Sequence, residues 1–109
     1  MSLKEKILIA DDSEMNQMLL EEILSDKYEY VMAKDGTEAV DILEKNDDID
    51  LVMLDINMPK MDGFGVLEIM NLRHWISEVP VIIISSESDV DFIRRGYDLG
   101  ASDYISRPV

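Results

Sequence analysis

Leu51-Val52-Met53-Leu54-Asp55-Ile56-Asn57-Met58-Pro59 decides how this chain is read. A short apolar run, with acidic and polar residues before it and a proline after it, predicts a strand buried on both faces, as strands of a parallel sheet are. Asp55 stands where that strand ends. Ligands of open parallel sheets bind at the carboxyl ends of the strands, so a carboxylate delivered there is a candidate reactive group. Taken on its own, this residue is better explained as a turn-capping aspartate. Which other stretches converge on it therefore matters.

Upstream, Tyr28 to Ala33 reads as a strand, Asp35-Gly36 as a turn, and Thr37 as the cap of a helix whose buried stripe is Ala39, Val40 and Leu43. That helix fades into the polar stretch Glu44 to Asp48, a solvated end. Further upstream, Lys6-Ile7-Leu8-Ile9-Ala10 is a first strand stopping at Asp11-Asp12-Ser13. A helix is predicted from Glu14 to about Lys27, capped by Asp12 or Ser13. Met15, Leu19 and Ile23 form its inward stripe, with Leu20 and Leu24 beside them. Downstream of the central strand come a loop, Asn57 to Gly63, and a third helix carrying Phe64, Val66, Leu67 and Met70. Pro80 opens a fourth strand, Val81 to Ile84, ending at Ser85-Ser86. A fourth helix runs from Asp89 to Leu99 and closes at Gly100. Asp103-Tyr104-Ile105 is a last short strand before Arg107-Pro108-Val109.

Strands alternating with single helices imply one α/β domain over residues 1–109, a doubly wound five-stranded parallel sheet with helices on both faces. The length suits one domain, and 47% hydrophobic residues supply a core. The formal net charge of −14 repels phosphate backbones and anionic membranes, so direct nucleic-acid or membrane binding by this segment is excluded as its main role. There is no cysteine, hence no disulfide or thiolate metal site, and no signal-like apolar run near Met1. Both features fit a cytoplasmic protein.

Four stretches share one grammar, an apolar strand ending in a polar group. The first ends in Asp11 and Asp12, the third in Asp55, the fourth in Ser85, and the fifth, slightly late, in Arg107. All fall on one edge of the sheet. Capping explains any single member but not three acids, a hydroxyl and a guanidinium together. Two carboxylates about 5 Å apart at an effective dielectric near 20 repel by roughly 3 kcal/mol, so either a cation belongs to the cluster or some of its acids are protonated. All-oxygen ligands without histidine or cysteine favour Mg²⁺, with Mn²⁺ as a stand-in. A carboxylate beside a divalent cation and a second positive charge can attack a phosphoryl group and form an acyl phosphate, while Arg107 and Ser85 stabilise the equatorial oxygens.

These residues, in this order and spacing, resemble the receiver domain of two-component response regulators over essentially the whole chain. The resemblance rests on Asp11-Asp12, on Leu54-Asp55-Ile56-Asn57-Met58-Pro59 with Met61-Asp62-Gly63, on Ser85-Ser86, and on Gly100-Ala101-Ser102-Asp103-Tyr104 before Arg107-Pro108. It implies the flavodoxin-like strand order 2-1-3-4-5, for which a member of that family is a standard example. It also implies that Asp55 is the phosphoacceptor and that Asp12 and Asp55 are direct metal ligands. Asp11 would act partly through water, and the Asn57 backbone carbonyl would complete the set. Ser85 would be the switch hydroxyl and Tyr104 the aromatic that follows it. Glu87 and Asn57 sit where receivers tune the lifetime of the phosphoryl group. The implied donor is a histidine kinase or phosphotransfer protein, and the implied output a conformational shift controlling a further domain or partner. Such a protein catalyses its own phosphorylation without being a turnover enzyme.

Two departures from the family pattern are visible. Arg107 stands where lysine is usual; it keeps the charge but is planar, bulkier and bidentate, so phosphorylation should survive with altered kinetics. Its bond to Pro108 is expected to be cis. The family's fifth helix is missing from the chain, which leaves a sheet face to be covered by residues outside this sequence or by a second copy in a homodimer. His74 reads as a surface or packing residue, and the methionines at 15, 18, 32, 53, 58, 61 and 70 as core filling. The competing function is a receiver-like interaction module that is never phosphorylated. A phosphohydrolase of the haloacid-dehalogenase kind needs a second acid two residues after the nucleophile, where this chain has Asn57, and no phosphate loop for nucleotides is present.

Overall fold

The computed structural model describes residues 4–24 and 27–107. Five parallel strands stand in the order β2-β1-β3-β4-β5: β1 Lys6–Ala10, β2 Glu29–Ala33, β3 Leu51–Leu54, β4 Val81–Ser85 and β5 Asp103–Ser106. The connecting helices are α1 Glu14–Leu24, α2 Gly36–Lys45, α3 Gly63–Leu72 and α4 Val90–Asp98. A 3-10 turn, Trp75–Ser77, which the apolar pattern does not reveal, leads from α3 into β4. Four α-helices and no fifth are found among the described residues, as the sequence implies. The expected cis bond between Arg107 and Pro108, and the end of the first helix at residues 25 and 26, lie outside them.

The strands alternate side chains between two cores, the period-2 consequence of pleating. Leu8, Ala10, Val52, Leu54, Val81 and Ile83 point to the face covered by α2, α3 and α4. Ile7, Ile9, Met53 and Ile84 point to the other, where α1 contributes Leu20. Both sides of the central strands are therefore buried, which is why their sequences are continuously apolar rather than alternating.

Helix α1 corrects the expected stripe. Leu20 is 6% exposed, whereas Met15 is 78%, Met18 69%, Leu19 47% and Ile23 58% exposed. Successive residues are about 100° apart around a helix, so docking through Leu20 turns Leu19 and Ile23 aside. Apolar periodicity alone cannot choose between such adjacent stripes. Met15 and Met18 are accordingly not core fillers; Met53 and Met70 are, and Met32, Met58 and Met61 pack half-buried. A second correction concerns the start of α2. Its N-cap is Asp35, whose side chain accepts from the Glu38 N–H, and not Thr37, which donates its hydroxyl to the same carboxylate at 2.7 Å. An extended Asp before glycine satisfies the orphan N–H groups two residues earlier than a threonine cap would.

Candidate metal and phosphoryl site

The sheet register brings the acids together. The Asp55 N–H donates to the Ala10 carbonyl (2.9 Å) and the Asp11 N–H to the Ala33 carbonyl (2.9 Å), so β1 and β3 end level with each other. Asp11, Asp12 and Asp55 each present a carboxylate oxygen, and these oxygens lie within 4.8 Å of one another. Asp11 is 1% and Asp55 6% exposed, while Asp12 stands exposed at the rim.

Each buried acid is held. One oxygen of Asp11 accepts from the Ser13 N–H (2.9 Å), and the other from the Arg107 guanidinium. The second guanidinium nitrogen lies 3.8 Å from Asp55, so Arg107 spans both acids as only a planar fork can. Its position follows from β5, where the Arg107 N–H donates to the Ser85 carbonyl at 2.8 Å. Asp55 also accepts from the Asn57 N–H at 3.4 Å. Burial pushes the Asp55 carboxyl up to about 6, helped by the neighbouring charge of Asp11 and opposed by Arg107 and the Asn57 N–H.

Ser85, fully buried at the end of β4, accepts a hydrogen bond from the Glu87 N–H at 3.0 Å. Tyr104 on β5 donates its hydroxyl to the Glu87 carbonyl at 2.7 Å, and burial raises its pKa. The Glu87 side chain meets the Asn57 amide at 3.5 Å. The loops after β3 and β4 are thereby joined across the mouth of the site, and Ser85, Tyr104, Glu87 and Asn57 belong to one network. His74 is exposed, at a left-handed backbone position, and takes no part.

Gln17 is a supporting residue that the motif reading missed. From α1 its side-chain amide donates to the Asp11 carbonyl at 2.7 Å and to the Ala33 carbonyl at 3.4 Å, tying the ends of β1 and β2 to the helix. Its place one turn after the Ser13 cap was the available signal, since the Asn16 N–H donates to the Ser13 hydroxyl at 3.3 Å to begin α1.

Three carboxylates gathered at one point, offering only oxygen, form a donor set suited to a hard divalent cation such as Mg²⁺ or Mn²⁺. Among the described residues no helix is long and apolar enough to cross a membrane.

Residues 7–109 match the family described as "Response regulator receiver domain". A curated relative, "Probable transcriptional regulator ycf27" of Porphyridium aerugineum, is 42% identical over 96% of this chain and 42% of its own length. This chain thus spans less than half of that relative. The Francisella response regulator 1452 receiver domain superposes with a TM-score of 0.87 at 27% identity, covering 96% of this chain and 85% of that one. A CheX-CheY-BeF3-Mg²⁺ complex from Borrelia burgdorferi gives a TM-score of 0.81 at 33% identity, covering 95% and 78%. The fold, the strand order and the sequence match agree, and the chain belongs to the receiver domain family of two-component response regulators.

Proposed function

We propose that residues 1–109 act as one receiver unit that accepts a phosphoryl group on Asp55 and relays it as a change of conformation. The observation that carries this reading is the gathering of Asp11, Asp12 and Asp55 within 4.8 Å, with Arg107 spanning Asp11 and Asp55. Asp11, Asp12, Asp55 and the Asn57 carbonyl would hold Mg²⁺, or Mn²⁺ in its place. When bound, the ion supplies charge neutralisation for the phosphoryl oxygens.

The chain's own groups do the rest. An oxygen of Asp55 attacks phosphorus of a phosphohistidine on a kinase or phosphotransfer protein. The new O–P bond forms as the N–P bond breaks, and its electron pair stays on the imidazole. Arg107 balances charge on the equatorial oxygens, and Ser85 exchanges its bond to the Glu87 N–H for one to the phosphoryl group. Tyr104 and Glu87 are already linked to that hydroxyl, so its movement reaches the loop after β4 and the α4–β5 surface. Glu87 and Asn57 face the mouth of the site and set how readily water reaches the acyl phosphate.

The receiver is consumed and regenerated rather than turning over a pool of substrate. Its complete acid set favours this reading over an interaction module that is never phosphorylated. The fold and the absence of cysteine suit the cytoplasm. Incubation with Mg²⁺ and a small-molecule phosphodonor, followed by intact-mass analysis, tests the reading. One phosphoryl group should be gained, and the gain should vanish in excess chelator; no gain under either condition contradicts it.

A further inference from the structure

Between β3 and α3, residues 57–62 carry Asn57 past Asp55 and so shape one wall of the acid cluster. Part of this loop is held from within, by the Met61 N–H on the Pro59 carbonyl (2.7 Å) and the Gly63 N–H on the Ile56 carbonyl (2.8 Å). Asn57 itself is tied to Asp55 and Glu87, and the loop's far end rests on an element that contributes nothing to the cluster, the N-terminus of α2. A Cβ on Gly36 would lie 2.1 Å from the Met61 carbonyl oxygen and 2.7 Å from both the Met61 carbonyl carbon and its Cβ. The two backbones therefore touch at a point where no side chain fits. Beside this contact, Asp35 is 3% exposed and accepts from Thr37 and the Glu38 N–H at 2.7 Å, while the Lys60 ammonium stands 3.7 Å from it. Lys60 itself has φ of 67°, a conformation that residues with a branched Cβ rarely adopt.

We propose that Gly36 is a positioning residue for the metal and phosphoryl site. By letting α2 abut the Met61 carbonyl, it fixes the loop that presents Asn57 beside Asp55. This inference rests on the reading of Asp55 as the phosphoacceptor beside a bound cation. Any side chain at position 36 must push the loop away by about 1 Å, since carbon contacts relax only beyond roughly 3.4 Å. Displacing a group that orients metal ligands typically weakens metal affinity 10- to 100-fold.

Calorimetric titration with Mg²⁺ alone, together with thermal unfolding, tests the proposal on Gly36→Ala, Lys60→Val and Leu43→Ala. Leu43 lies on the core side of α2, 7% exposed, toward the opposite end of the helix from Gly36. Its truncation lowers the unfolding midpoint and leaves Gly36, seven residues earlier in the chain, without an added side chain at its backbone contact with Met61. Gly36→Ala should weaken Mg²⁺ binding about tenfold, and Leu43→Ala should leave it unchanged at a temperature where both are folded. Lys60→Val acts on the same loop from its exposed side, and should weaken binding even if Gly36→Ala does not fold. A parent that binds Mg²⁺, with Gly36→Ala or, where that does not fold, Lys60→Val binding as tightly, overturns this inference alone. Equal weakening in Leu43→Ala also overturns it, because the effect would then be one of stability. A parent that binds no Mg²⁺ overturns both the inference and the reading beneath it.

Discussion

Asp55→Asn should take up no phosphoryl group and yet fold more stably than the parent at neutral pH, by roughly 2 to 3 kcal/mol. The two effects share one cause. Asp55 is 6% exposed beside Asp11, and its carboxyl is raised from the ordinary 3.8 to about 6. An acid whose pKa is raised by folding binds its proton more tightly in the folded chain. Its stabilising contribution is complete below about pH 4 and is lost as the pH rises through about 6. At neutral pH the ionised side chain is therefore a standing cost, which the amide does not carry. Denaturant unfolding of both chains from pH 4 to 8, without divalent ions, should show the difference growing up to about pH 6 and then levelling. A difference that is constant across that range would mean that Asp55 is not perturbed in the folded state.

Arg107→Ala should slow phosphoryl uptake from a small-molecule donor by about 100-fold or more, the scale seen when one preorganised donor to a developing charge is removed. The guanidinium is only 19% exposed at its side chain and contacts Asp11 and Asp55 together. Its removal deprives the phosphoryl oxygens of a cation and leaves Asp11 without its partner. Arg107→Lys keeps the charge but reaches one acid at a time, so uptake should fall much less. Time-resolved intact-mass measurements on the three chains decide it. An alanine variant as fast as the parent would remove Arg107 from the reaction.

Much of this arrangement was legible in the residues. The continuous apolar runs of β1, β3 and β4 announce strands covered on both sides, and short helical connections leave a parallel sheet as the economical outcome. Once the strands are placed, Asp11, Asp12 and Asp55 must fall on one edge, and their mutual repulsion calls for a cation or a retained proton. What stayed hidden depends on rotation and on contacts between distant elements. The apolar side chains of α1 span too much of its circumference for sequence to say that Leu20 docks while Met15 and Ile23 do not. Thr37 and Asp35 are both good caps, and only the backbone decides for Asp35. The role of Gly36 lies in what it touches across the fold, the Met61 backbone, which no local pattern records, and that of Gln17 showed only in its place one turn after the Ser13 cap. That Arg107 bridges two acids was likewise open; from sequence it was one charge near the end of the sheet.

Chemical trapping of the phosphorylated chain identifies the residue that carries the phosphoryl group. Treating it with borohydride reduces an acyl phosphate to the alcohol, and peptide mapping then locates the altered residue. Homoserine is expected at position 55, with unaltered aspartate at positions 11 and 12. Reduction at another residue, or a phosphoryl group that resists borohydride altogether, would contradict this expectation.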